Sequence, residues 1–268
     1  MSKEYDILGI DDEKVVLDAI EKICTADGFK VDLSLSAVDA MKRIESNRYK
    51  LIVCDIMMPD MDGFQFLEQI RIKNIPSQVI MTTGYTTVEN AVKSLNNGAI
   101  DFIPKPFTAD EILNPIYRGM KYLEIQSMIS KRKSYNNDSD IIYVPCPSKY
   151  FRLGYGSWIS VEFDGSILIG ITDLFLKTID PVSEVSLINL EDEIIQGTTC
   201  AHLTAGKGLL HNIMSPISGR VIDENTNLIS EPDILEKDPY FEGWFYRVIP
   251  SDLNYELKNL IPCSSDRL

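Results

Sequence analysis

Five polar residues stand directly after short apolar runs, and their types fit phosphoryl chemistry. Asp11 and Asp12 follow Ile7-Leu8-Gly9-Ile10, and Asp55 follows Leu51-Ile52-Val53-Cys54. Thr83 closes Val79-Ile80-Met81-Thr82, and Lys105 follows Phe102-Ile103 between Pro104 and Pro106. A parallel sheet brings the carboxyl ends of its strands to one rim, where ligands bind. On such a rim Asp11, Asp12 and Asp55 would hold one Mg²⁺ through oxygen ligands, with waters completing the shell. Asp55, at the centre, is the natural nucleophile, because a carboxylate can take a phosphoryl group as an acyl phosphate. Lys105 would pair with that group, or with Asp55 before transfer, and Thr83 would donate its hydroxyl to a phosphoryl oxygen. Lys105-Pro106 reads as a cis peptide that aims the ammonium. Any one of these residues alone is an ordinary strand-end polar group; the array is not.

The elements around them must alternate. Apolar runs near 5–10, 29–33, 50–54, 78–82 and 100–103 read as buried strands. Between them Glu13–Asp27, Ala37–Ser46, Gly63–Lys73 and Val88–Asn97 carry helical periodicity. Asn97-Gly98 is a helix stop signal. Thr108-Ala-Asp-Glu111 is a capping box before a long last helix. Five such units predict a doubly wound five-stranded parallel α/β sheet. The expected domain covers residues 1–125.

Residues 126–148 read as a polar linker, able to continue the last helix at its start and broken by Pro145 and Pro147. Residues 149–262 read as a mostly β domain, and 263–268 as a tail. Trp158–Gly165 alternates and ends in Asp-Gly, a hairpin signal. Thr172–Thr178 is expected as a short helix, Gly206-Lys207-Gly208 as a tight turn, and Gly243–Ile249 as a late strand.

The composition narrows the function. With 268 residues the chain has room for two domains, and its net charge of −14 argues against a nucleic-acid partner. Lys131-Arg132-Lys133 is a short basic stretch in polar sequence, expected to be solvated. Five cysteines without a Cys-x-x-Cys pair fit a reducing compartment rather than a disulfide framework. No apolar run reaches the roughly 20 residues of a membrane helix, and the first residues lack an apolar signal region. A cytoplasmic protein without a membrane partner is expected.

The spacing of the first half resembles a response-regulator receiver domain over residues 5–125. Asp11-Asp12-Glu13, Asp55-x-x-Met58-Pro59-x-Met61-Asp62-Gly63, Thr83-Gly84-Tyr85 and Lys105-Pro106-Phe107 match that family in order and distance. The resemblance implies that a histidine kinase phosphorylates Asp55. It implies that the Met57 backbone carbonyl joins Asp11, Asp12 and Asp55 around Mg²⁺. It also makes Thr83 and Phe102 a switch pair, and it allows a homodimer through the receiver.

Residues 150–249 resemble the H protein of the glycine cleavage system, a lipoyl-carrier hammerhead fold. Gly170-Ile171-Thr172-Asp173, Gln196-Gly197, Ser215-Pro216-x-Ser218-Gly219 and Asp238-Pro239-Tyr240-x-Glu242-Gly243-Trp244 carry the resemblance. Counting on from Gly197, Lys207 falls at the family's lipoyl-lysine position, so lipoate is the cofactor the resemblance implies there. The attachment turn differs from the family: Thr204 replaces an acidic residue, Gly206 and Gly208 flank the lysine, and one extra residue precedes Ser215.

His202 and His211 lie symmetrically about Gly206-Lys207, so a two-residue hairpin would set them face to face. Cys200 would share the face of His202, which makes a soft-metal site a candidate; the lack of a fourth ligand favours ordinary strand residues.

The expected protein is a phosphoacceptor signalling protein rather than an enzyme, with slow autodephosphorylation at most. Its H-protein-like output domain would act through an unidentified protein partner. The alternative is a phosphorylation-gated lipoyl carrier using Lys207. A transcription factor is disfavoured because no basic recognition helix follows residue 150.

Overall fold

The computed structural model describes residues 3–84, 87–135 and 142–267. Tyr85, from the Thr83-Gly84-Tyr85 motif, lies outside the described residues. Two compact units are present: Met1–Thr87 with Asn97–Glu124, and Val88–Asn96 with Ile125–Leu268.

The first half alternates strand and helix: β1 (Glu4–Ile10), α1 (Lys14–Ala26), β2 (Val31–Ser34), α2 (Ala37–Ser46), β3 (Arg48–Asp55), α3 (Gly63–Ile72), β4 (Gln78–Thr83), α4 (Val88–Asn96), β5 (Asp101–Pro104) and α5 (Ala109–Tyr135). The strands form one parallel sheet in the order β2-β1-β3-β4-β5. Ile7, Leu51, Val53, Ile80 and Ile103 are buried in its core with Ile20, Ile112 and Ile116 from the helices. Strands covered on both faces read as continuous apolar runs, as these do.

Local chemistry sets the helix ends. The expected capping box opens α5: Thr108 N donates to Glu111 Oε2 at 2.7 Å, and Glu111 N donates to Thr108 Oγ1 at 3.3 Å. A second box, unanticipated, opens α3, where Asp62 and Gln65 satisfy each other's backbone N–H groups. Gly98 takes φ +97° after α4, where a residue with a Cβ would be strained. The last helix runs through Tyr135, so the first part of the expected linker is helical.

The second half is antiparallel. Its strands are β6 (Phe151–Leu153), β7 (Ser157–Val161), β8 (Ile167–Ile171), β9 (Val182–Leu187), β10 (Glu193–Ile194), β11 (Thr199–Ala205), β12 (Leu209–Met214), β13 (Gly219–Glu224), β14 (Trp244–Pro250) and β15 (Ile261–Pro262). A seven-stranded sheet has the order β10-β13-β14-β8-β7-β6-β15, and a three-stranded sheet has the order β12-β11-β9. Short helices α6 (Asp173–Leu176), α7 (Asn227–Ser230), α8 (Ile234–Lys237) and α9 (Leu253–Glu256) fill the connections. The core gathers Ile159, Ile169, Leu203, Ile213, Val221 and Phe245.

Gly170 shows how tightly this core closes. It pairs with Trp158 on β7 and with Trp244 on β14. A Cβ there would lie 2.3 Å from Trp158 Cζ2. The indole cannot retreat cheaply, because its Nε1 donates to Ile171 O at 2.8 Å and Pro239 O at 3.2 Å. Gly170→Ala is therefore expected to destabilise this unit by roughly 1–3 kcal/mol, the usual cost of overpacking. Urea unfolding followed by tryptophan emission checks it, since both tryptophans lie in this unit. An unchanged midpoint would sink the packing argument.

Candidate functional site

Strand register builds the site. Ile10 pairs with Cys54, Asp55 with Thr82, and Thr83 with Pro104. The residues just past these pairs must gather at the carboxyl rim, and they do. Asp11, Asp55, Thr82 and Thr83 are all buried there, while Asp12 is exposed. The loop after β3 folds back so closely that a Cβ on Gly63 would lie 2.3 Å from Asp55 O. Glycine at 63 is a packing requirement of the site, and its sequence position alone did not reveal that.

Lys105 follows a strand end and precedes a cis Pro106. Its Nζ lies 2.5 Å from Asp11 Oδ2 and 2.7 Å from Asp55 Oδ1. Lys105 N donates to Thr83 O at 2.8 Å, which ties the end of β4 to the lysine. Met57 N donates to Asp55 Oδ2 at 2.7 Å, and Glu13 N donates to Asp11 Oδ1 at 3.0 Å. Phe102 is buried in β5.

Burial raises the Asp11 and Asp55 carboxyls above the usual carboxylate range, and hydrogen bonds from Lys105 only partly offset it. Burial also works against the Lys105 ammonium. Its two carboxylate partners outweigh that and raise its pKa.

Asp11, Asp12 and Asp55 each offer an oxygen, and these oxygens lie within 4.8 Å of one another. Three carboxylates against one ammonium leave negative charge that a divalent cation would balance. The donors are all hard oxygens, and the two buried ones nearest Lys105, Asp11 Oδ2 and Asp55 Oδ1, share its single ammonium. The residues therefore fit a small hard cation such as Mg²⁺.

The second unit holds the other expected site residues. Lys207 is exposed at the tip between β11 and β12. The tip has three residues, not two, because Ala205 pairs with Leu209. Gly206 has φ +54° and Gly208 φ +89°, conformations that suit glycine. The extra residue shifts the register by one, and this overturns the facing-histidine expectation. His202 pairs with Asn212, and His211 pairs with Leu203. His202 is exposed and its Nδ1 lies 2.8 Å from Asn212 Oδ1; His211 is buried, edge-on to Phe175. Side chains alternate faces along a strand, so the one-residue shift puts the two imidazoles on opposite faces. Cys200 is buried, unlike His202. Among the described residues no metal-ligating group forms there.

The α/β sheet with its acidic rim is the architecture of a receiver. Comparisons agree: residues 7–117 match the response regulator receiver domain family, and residues 149–265 match the glycine cleavage H-protein family. The chain thus consists of a receiver domain followed by an H-protein-like domain. The response regulator MprA of Mycobacterium sp. (strain KMS) is 33% identical over 107 residues, covering 40% of this chain and 46% of that protein. The transcriptional regulatory protein DltR of Streptococcus agalactiae serotype III (strain NEM316) is 34% identical over 107 residues, covering 40% of this chain and 48% of that protein. The chain therefore spans about half the length of these curated relatives. Among solved structures, a glycine cleavage system H protein from Mycobacterium marinum aligns with TM-score 0.40 and 22% identity, covering 45% of this chain and 94% of that one. A receiver domain protein from Clostridium thermocellum aligns with TM-score 0.42 and 25% identity, covering 48% and 99%. Among the described residues no helix is long and apolar enough to cross a membrane.

The raised carboxyl pKa values carry a stability consequence. An Asp whose folded pKa lies above its unfolded value costs stability as pH rises through that interval, and the cost is fully present above the folded pKa. Asp55→Asn removes it, and the Asp11–Asp55 repulsion with it. In chelator at pH 7 its receiver transition is expected to rise by roughly 2–5 °C by calorimetry. A fall would mean that the Lys105 ion pair outweighs the burial of Asp55.

Proposed function

We propose that the chain is a two-component response regulator that accepts a phosphoryl group on Asp55 from a histidine kinase. One observation supports this most: a single ammonium, Lys105, shared between two buried carboxylates beside a third. An Asp55 oxygen attacks the phosphorus of a phosphohistidine; the O–P bond forms as the N–P bond breaks, and the imidazole leaves. Lys105 moves its contact from the carboxylate to the phosphoryl oxygens, and the Thr83 hydroxyl donates to one of them. Asp11, Asp12, Asp55 and the Met57 carbonyl would hold Mg²⁺, which supplies neutralisation of the equatorial oxygens when bound.

Thr83 and Phe102 then form the switch. Movement of the Thr83 side chain toward the phosphoryl group opens space that the Phe102 ring can fill, and this shifts a two-state equilibrium around β4 and β5. The H-protein-like domain replaces a DNA-binding output and acts through a protein partner. Nothing in its acidic, β-rich sequence offers a cationic recognition helix.

Incubation with acetyl phosphate and Mg²⁺ is expected to give a phosphate-affinity gel shift. Asp55→Asn abolishes it and chelation cuts it at least tenfold. A shift that survives in Asp55→Asn would exclude Asp55 as the acceptor.

Protons compete with the cation for Asp11 and Asp55. Because burial raises both carboxyls, Mg²⁺ affinity is expected to fall on acidification from pH 8, beginning at a higher pH than for ordinary carboxylates. Titration calorimetry between pH 8 and pH 5 measures this; a flat profile would remove these carboxylates from the cation site.

One observation favours a second reading: Lys207 is exposed between two glycines with left-handed backbones. With lipoate on Lys207 the chain would be a phosphorylation-gated carrier of an aminomethyl group or electrons. Mass spectrometry of the chain from its native host separates the readings: a lipoyl adduct on Lys207 supports the carrier, whereas unmodified Lys207 with phosphorylated Asp55 supports the regulator.

A further inference from the structure

We propose that Cys146 and Cys263 form a reversible disulfide that fastens the C-terminal end of the H-protein-like domain to the segment by which the chain enters it. The two sulfurs lie 2.8 Å apart, and 117 residues separate them in sequence. Both residues are buried, Cys146 at 4% and Cys263 at 0% exposure. They share one cluster with Trp158 and Tyr240, with Tyr150 and Trp244 packed against it.

The backbone sets this meeting. β15 pairs with β6, Pro262 opposite Phe151 and Ile261 opposite Arg152. Cys263 N donates to Tyr150 O at 3.0 Å, and Tyr150 N donates to Pro147 O at 2.9 Å. The second bond folds the chain at Pro147 so that Cys146 returns toward the strand end. The entering segment is held independently: Val144 N donates to Asp173 Oδ2 at 2.6 Å, and Tyr240 Oη donates to Val144 O at 2.9 Å. Both cysteines are therefore held on anchored backbone, which gives a disulfide its required closeness without a long search. Cys24, Cys54 and Cys200 are also buried, but they sit in the interior of helix and strand elements as small apolar side chains.

The oxidant is a low-molecular-weight disulfide. The Cys263 thiolate, exposed when the short turn after β15 opens locally, attacks one sulfur of the oxidant and releases one thiol. The Cys146 thiolate then displaces the second thiol from the mixed disulfide. Two protein thiols become one disulfide, the oxidant becomes two thiols, and the two protons leave with them. Closing so long a loop constrains the unfolded chain strongly.

The full chain is equilibrated with oxidised glutathione, acid-quenched, unfolded, alkylated and digested. The expected product is a peptide pair joined through Cys146 and Cys263, with Cys24, Cys54 and Cys200 alkylated. The unfolding transition of the domain is expected to rise by roughly 5–10 °C and to return on reduction. Cys263→Ala is expected to lose the cross-link and the shift, and Cys200→Ala to keep both. Alkylation of both Cys146 and Cys263 in the oxidised sample, glutathione retained on either, or a cross-link to another cysteine would overturn the proposal. The wild-type mass spectrum decides even if the Cys263 variant fails to fold.

Discussion

One ammonium between two buried carboxylates organises the first half of this protein. Without Lys105, Asp11 and Asp55 would be like charges in a site shielded from water, and burial already drives both toward protonation. The lysine lets them stay together as anions, but one positive charge does not balance the three carboxylates of the cluster. A site in that condition has spare acceptor oxygens and unbalanced negative charge, which is what a cation and a phosphoryl group require. The parallel sheet is the device that delivers the three side chains to one rim, each from the end of a different strand.

The two halves use their signature residues differently. In the receiver the motif residues are chemical: two carboxylates and an ammonium touch one another. In the H-protein-like domain the motif residues are mostly mechanical. Gly170 makes room for Trp158. Thr172 caps α6 through Phe175 N. Gln196 is buried and donates through Nε2 to Pro216 O and Glu256 O, while its Oε1 accepts from Asn259. A strong resemblance in this half therefore speaks for the scaffold rather than for its chemistry.

The alternating α/β organisation was legible because buried parallel strands leave continuous apolar runs, and because Thr108 and Gly98 mark helix ends. The site was legible for the same reason: polar residues immediately after such runs have one place to go. Short pieces were not. β6, β10 and β15 hold two or three residues each, too few to show a period. The buried setting of Cys263 was also hidden, since it comes from pairing with a segment more than a hundred residues earlier. Asp62-x-x-Gln65 does carry a capping-box pattern, whereas the close approach at Gly63 depends on how the loop after β3 returns, which local composition does not encode.

The three-residue tip around Lys207 has a consequence for comparing this chain with its relatives. Lys207 is exposed, so the identity of that side chain is free to vary without disturbing the strands. Length is another matter, because Ala205 opposite Leu209 fixes every pairing down to Ala201 opposite Ile213. A relative lacking one tip residue must either bulge or slip, and a slip turns one strand over, so that positions 202 and 211 come to share a face. An alignment gap at this turn therefore marks an exchange of strand faces, and residues beyond it that share a column need not share an environment.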